Sequence, residues 1–393
     1  MSISNLLISV FLGFFGAGLL LMFNATLLFF DLLRNKFDWI VFGLPIAVGL
    51  SYFLKKKTLY YPKKIVDLEE SQEDILSVWN RKMSLYHYLG ALVSHLFGAS
   101  VGREGVIVLV TSGLVPLFNL NVQFWIPIAA ATGFAIVTGY QWIGLIFLIE
   151  VFNTNINQKI LTFIASWTGV LLLQSYHVDP LLQLKNFDDQ TSFFSKLFFV
   201  VGVGIIFGVI SKIYKQVYFY LSHKLQNRLG VSILISLVLA IVLWKEEFSP
   251  LQSLSLEILE HFRTSNEFVH MDVVLILLKL ILTVVCVSLG LFGGEFVPLL
   301  VIGAGLGAVL AQWLGFPHWL GLSLGAYLLL AGVTRLKWTF LLLSLILSGW
   351  NQVILFYIAY TVCLALSNHT SLYMSGKNRK SFFSGTHFFT TKV

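Results

Sequence analysis

Charged side chains are scarce in this sequence: Asp, Glu, Lys and Arg make up 11% of its 393 residues, against about 25% in a soluble domain. That scarcity excludes a water-soluble enzyme or binding module as the body of the chain, because no room for one exists between the apolar runs. Cysteine is nearly absent, and Cys286 and Cys363 both lie inside apolar runs, which argues against a disulfide framework or a cysteine-held metal. No Gly-Lys-Ser/Thr phosphate loop and no His-Glu-x-x-His helix occurs, so the sequence offers neither a nucleotide-hydrolysis site nor a zinc-hydrolase site. It gives no cofactor site. A basic leader is also lacking: Leu6–Phe30 is apolar for longer than a signal peptide and reads as the first membrane helix.

What the chain does have is apolar length: 57% of residues are hydrophobic and 15% aromatic. Residues 1–30 are uncharged, a polar turn follows at Asp31–Asp38, and Trp39–Leu54 return across the bilayer. The segment 55–82 carries Lys55, Lys56, Lys57, Lys63, Lys64, Arg81 and Lys82, against Arg34 and Lys36 in the preceding loop. By the positive-inside rule it is cytoplasmic, which puts the N-terminus inside as well. The acidic run from Asp67 to Asp74 reads as a solvated face. The tail 377–393, with Lys377, Arg379, Lys380 and Lys392 and no acid, is cytoplasmic on the same grounds. The excess of 26 basic over 19 acidic residues is therefore a topology signal, and no nucleic-acid partner is implied. The expected location is a cell inner (plasma) membrane, crossed many times.

Beyond residue 83 the apolar stretches are interrupted. Pro116, Pro127, Gly133, Gly139 and Gly144 break the uncharged run 106–149 into pieces too short for two regular spanning helices. From Phe296 to Gly376 only Arg335 and Lys337 are charged, yet glycine and proline recur. Short, broken apolar helices are the mark of a binding site near the bilayer midplane. The runs Gly202-Val203-Gly204 and Gly303-Ala304-Gly305 suit close helix packing.

Against this background Gly102-Arg103-Glu104-Gly105-Val106 is the chemical anomaly, since residues 83–102 and 106–149 are uncharged. A charge at membrane depth costs at least ~2.5–3.5 kcal/mol on insertion scales, so its retention points to function. Flanking glycines allow close backbone approach, and a helix starting there aims free N–H groups at an anion. Gly293-Gly294-Glu295-Phe296-Val297-Pro298 is a second such element; its Glu295 lies 191 residues after Glu104. Two structural repeats, each giving a helix N-terminus to one central site, account for that spacing.

These residues carry a resemblance. Ser100–Gly105 resembles the GREG/GKEG motif of the CLC chloride-channel and transporter family, and Gly293–Pro298 resembles its GGxFxP motif. Ser367-Asn368-His369 with Leu372-Tyr373 resembles the segment supplying that family's central tyrosine. The resemblance implies an all-α integral membrane protein with two inverted-topology repeats of broken and re-entrant helices, and a homodimer with one pathway per subunit. On that basis 1–393 reads as one transport domain, with repeats at about 38–176 and 192–367.

Glu295 at its position resembles the fluoride/proton antiporter branch. Counting on from the first motif puts Val151 where chloride/proton exchangers carry an inner proton-relay glutamate, and that absence fits the same branch. Three positions depart from the family's patterns: Tyr61-Pro62-Lys63-Lys64-Ile65 stands where an earlier motif belongs, Val297 where the fluoride branch often has Thr, and Val106 where chloride members have Pro. Phe296 is the chloride-like choice.

The roles implied are these. Glu104 is the gate and proton-coupling residue, its carboxylate occupying an anion position when ionised and swinging aside when protonated. Gly102, Arg103, Gly105, Val106, Gly293, Gly294, Glu295, Phe296 and Tyr373 form the anion-binding set, with Arg103 anchoring locally, Glu295 a hydrogen-bond donor when protonated, and the Tyr373 hydroxyl a further donor. Glu150, Lys279, Arg335 and Lys337 read as interfacial or paired, His95 as a hydrogen-bonded helix residue, and the 35 phenylalanines as packing or lipid-facing. The expected activity is fluoride export in exchange for protons. A chloride/proton exchanger, a passive halide channel, an intramembrane enzyme and a membrane scaffold are the alternatives.

Overall fold

The computed structural model describes residues 2–58, 81–178, 180, 182, 191–265, 268 and 270–368. Among these there is no β-strand; the chain is a succession of helices, joined at one point by an isolated antiparallel bridge.

The first half opens with α1 (Ile3–Lys36), α2 (Leu44–Thr58) and α3 (Arg81–Leu96), continues with α4 (Glu104–Leu117), α5 (Val122–Thr138) and α6 (Gln141–Val151), and closes with α7 (Ile156–Ser175). The second half runs α8 (Phe193–Leu225), α9 (Leu229–Trp244), α10 (Leu256–Thr264), α11 (His270–Ser288), α12 (Phe296–Trp313), α13 (His318–Thr334), α14 (Lys337–Ser348) and α15 (Val353–Leu366). The halves parallel each other in element length. Each begins with a helix of 34 or 33 residues and a shorter one of 15 or 16. Each later has a 17-residue helix that ends on a left-handed residue, Gly139 or Arg335, before a stub of 11 or 12 residues.

Two expectations change in detail. Asp31 and Arg34 do not form a turn; α1 runs on to Lys36, and the ion pair between Asp31 and Arg34, one turn apart, lies within the helix. Pro127, Gly133 and Gly144 do not break the run 106–149, since the first two lie inside α5 and Gly144 inside α6, while Pro116 lies in the last turn of α4; its breaks fall at residues 118–121 and 139–140. Pro127, the sixth residue of α5, lies past the first ladder bond from Trp125 N–H to Asn121 C=O, so it costs the helix one hydrogen bond without ending it. Asn121 caps that helix, accepting from Phe124 N–H at 3.1 Å.

Among the described residues five helices, α1, α7, α8, α11 and α12, are long and apolar enough to cross a membrane. Most of the rest are short and apolar, and of these α4, α5 and α13 are buried along most of their length. The inner helices α12 and α13 meet where Gly303 and Gly307 face Gly325 and Gly321, and a Cβ on any of the four would run into backbone of the facing helix. Close approach of this kind depends on small residues. It brings the start of α12 and the end of α13 to the same central cavity.

Candidate functional site

The centre is built from the two glycine-rich turns. Gly102 and Gly294 face each other across the antiparallel bridge, with Gly294 N–H donating to Gly102 C=O at 2.7 Å and Gly102 N–H donating back to Gly294 C=O. Gly293 sits at φ 139°, and a Cβ there would meet the Val101 side chain at 2.6 Å. Only glycine fits both conditions. The bridge clamps the starts of α4 and α12 together.

Neither helix start is capped by a side chain. The ladder of α4 begins with Ile107 N–H donating to Arg103 C=O, and that of α12 with Leu299 N–H donating to Glu295 C=O. The amides of Glu104, Gly105 and Val106, and those of Phe296 and Val297, therefore precede the first helical bonds of their helices. N–H groups so placed, at the positive ends of two helix dipoles, favour negative charge beside them.

Glu104 is buried, at 1% exposure. Its Oε1 lies 3.4 Å from Arg103 Nε, and its own amide and that of Val297 approach the carboxylate. Neither carboxylate oxygen completes a well-aligned hydrogen bond. The carboxylate thus rests over the helix ends as an anion would, without being locked there. Arg103 is held from the other side, its guanidinium donating to Asn24 Oδ1 on α1.

A cavity of about 30 Å³ opens against these groups, and Glu104, Gly105, Gly294, Glu295 and Phe296 line it. That volume takes about two water-sized species. The other walls come from Phe134 on α5, Phe147 on α6, Thr334 and Leu336 at the α13–α14 turn, and Phe340 on α14. Phe134 stacks on Phe147 with ring centroids 4.5 Å apart and meets Phe296 edge to face at 5.7 Å. Glu295 is buried, at 3% exposure, on the same cavity.

The turns thus bring four of the expected anion-site residues to the cavity: Gly105, Gly294, Glu295 and Phe296. Gly102 and Gly293 shape the clamp behind it, and Val106 contributes a first-turn amide while its side chain packs in the core. Tyr373, the Pro62-Lys63-Lys64 loop and the tail 377–393 lie outside the described residues. Sequence reasoning missed Asn24 and the aromatic walls; Phe134, Phe147 and Phe340 look like any other phenylalanine in an apolar run. The nearest signal was position, since Phe147 falls in the stub after the left-handed Gly139 and Phe340 in the stub after Arg335.

Comparison with known proteins agrees with this geometry. The model of the voltage gated chloride channel family matches residues 50–368. A chloride/fluoride channel protein of Pseudomonas syringae pv. tomato is 26% identical, over 86% of this chain and 79% of its own. The crystal structure of a CLC-type fluoride/proton antiporter superposes with a TM-score of 0.83 at 22% identity, covering 94% of this chain and 96% of that one. That of a slow cyanobacterial chloride/proton antiporter gives 0.81 at 17% identity, covering 98% and 99%. With the family model spanning most of the sequence and both helix starts converging on one buried glutamate, the chain belongs to the voltage-gated chloride channel (CLC) family of membrane anion transport proteins.

Proposed function

We propose that this chain is a fluoride/proton antiporter, exporting fluoride at the expense of a proton gradient as one subunit of a homodimer. The observation that carries the proposal is the placement of Glu104, whose carboxylate lies over two convergent helix starts at the wall of a cavity that also receives Glu295. An ionised Glu104 occupies the anion's place. Once protonated it is neutral, the helix ends no longer attract it, and an anion can replace it. Anion and proton then pass the same point in alternation.

Two features support fluoride. The cavity is small, and Glu295 in protonated form is an O–H donor to a strong hydrogen-bond acceptor. The chloride/fluoride channel protein and the fluoride/proton antiporter are the relatives in keeping with this reading. Chloride/proton exchange is the second reading, favoured by the apolar walls around Phe296, which suit a less strongly hydrated halide. Both place the chain in a cell membrane and neither involves covalent chemistry on a substrate.

The deciding experiment is fluoride and chloride efflux from one preparation of liposomes, with proton movement recorded in parallel. Fluoride leaving faster than chloride, with a fluoride gradient driving protons the other way, is the expected result. Equal chloride flux without proton movement would replace the antiporter by a halide channel.

A further inference from the structure

Glu150 is a carboxylate in an apolar stub, and the gating scheme gives it no task. On α6 it lies one turn beyond Phe147, a wall of the anion cavity. Its partners are on the other half of the chain, about 190 residues away in sequence. Oε1 accepts from the Trp338 amide at 2.9 Å, and Oε2 accepts from the Thr339 amide at 2.8 Å and the Thr339 hydroxyl at 2.6 Å.

Those amides belong to the first turn of α14, whose own N-cap residue, Leu336, supplies no side-chain hydrogen bond. A carboxylate at that end meets both the free N–H groups and the positive end of the helix dipole. Charge-assisted bonds of this type are shorter and stronger than neutral ones. Leu336, two residues before the capped pair, and Phe340, the residue after it, are themselves cavity walls.

We propose that Glu150 is a positioning residue for the anion cavity. It pins the start of α14 to the end of α6 and so fixes Phe340 and Leu336 against Phe147 and Phe134. It stands one position before Val151, where chloride/proton exchangers place a proton relay, but the geometry assigns it a different task. Both its oxygens are committed to donors on α14, and a group that carries protons must release such partners at each turn. A cleft of about 350 Å³, lined by Glu150, Asn153, Thr154 and Lys159 among others, runs beside this latch.

The test has two arms, both on the full chain, and only the second rests on the transport reading. In the first, amide hydrogen exchange at Trp338 and Thr339 is compared between the native protein and Glu150→Ala in detergent. Exchange at least about tenfold faster in the variant is expected, since the cap is what protects these first-turn amides. Unchanged protection overturns the latch. Glu150→Gln keeps one carbonyl acceptor and serves if the alanine variant does not fold, with a smaller expected acceleration.

In the second arm, Glu150→Gln and Thr339→Val in liposomes should raise the KM for halide several-fold and leave the proton-to-anion ratio unchanged; Thr339→Ser should behave as native. Lost proton coupling at unchanged KM would make Glu150 a relay and overturn the proposal. If the native protein moves no halide, the transport reading fails, and the exchange arm still decides the latch.

Discussion

Arg103 and Glu295 hold equivalent places in the two halves: each is the N-cap residue of its inner helix, one step past the glycine of the Gly102–Gly294 bridge. Their backbones match, at φ −90°, ψ −19° and φ −99°, ψ 0°. In this register the counterpart of Glu104 is Phe296, and the two glutamates are one position out of phase. One helix start therefore carries a cation at its cap and a carboxylate in its first turn. The other carries a carboxylate at its cap and a phenyl ring in its first turn. The two acids accordingly sit in different surroundings.

Glu104 is the acid that covers the helix ends, so Glu104→Gln, which cannot ionise, should abolish proton coupling while halide still passes. Proton uptake by liposomes under an imposed halide gradient measures this. Coupling that persisted in the variant would remove Glu104 from the proton path.

Glu295 faces the cavity from the cap position, and its removal should act on the choice of anion. Glu295→Met keeps side-chain length and discards the donor. Fluoride efflux should fall at least about tenfold, the scale of one charge-assisted hydrogen bond, while chloride efflux is unchanged or rises. Parallel electrode recordings on one preparation give the ratio, and an unaltered ratio would mean that Glu295 does not select.

The glycines of the clamp are not interchangeable. Gly293→Ala puts a side chain at φ 139°, against Val101, where strain of about 1–3 kcal/mol is expected from the backbone alone. A Cβ on Gly105 would come no closer than 3.6 Å to Gly294 Cα, an ordinary contact. Thermal unfolding in detergent should therefore show a clear loss of stability for Gly293→Ala and little for Gly105→Ala. The reverse order would contradict the bridge geometry.

How far the sequence reached follows from what kind of information each feature needs. Broken apolar runs and two glycine-flanked acids are local patterns, and they led to the helix starts that the bridge joins. The one-residue offset between Glu104 and Glu295 was not legible, because counting glutamate to glutamate hides which backbone positions correspond. Gly102 paired with Gly294 is the true register. The aromatic walls were hidden for another reason. Phe134, Phe147 and Phe340 are set apart from the other phenylalanines only by tertiary packing. Glu150 read as interfacial or paired, and it is paired, with amides that no sequence pattern could nominate. Tyr373, expected from its motif, lies outside the described residues.

Lys279 shows how a buried cation is accommodated away from the cavity. It is fully buried, and its ammonium donates to Leu251 C=O at 2.9 Å and Ser253 C=O at 2.8 Å. Ser253 and Ser255 both adopt left-handed backbone, His95 Nδ1 shares a 2.8 Å hydrogen bond with Ser253 Oγ, and the Ser253 amide donates to Gly98 C=O. Lys279 thus holds a strained segment onto the turn that precedes Gly102. Lys279→Met should leave two buried carbonyls without donors at about 1–3 kcal/mol each, seen as a loss of several degrees in the unfolding midpoint. A midpoint equal to that of the native protein would show that the segment holds its shape without the lysine.

The size of the cavity rests on ring packing, and Phe340 is the wall whose change is most informative. It is buried at 1% exposure, its ring 5.8 Å from Phe296 and 6.4 Å from Phe134, while its carbonyl accepts from the Tyr360 hydroxyl at 2.9 Å. That backbone bond survives substitution, so Phe340→Leu alters the wall and keeps the helix in place. Leucine is smaller and lacks the positive ring edge that favours a compact anion. Chloride efflux should rise relative to fluoride several-fold, at a modest cost in stability. If the chloride-to-fluoride ratio stays at the native value while the protein remains folded, ring packing does not limit the anion, and the donors at the helix starts alone decide it.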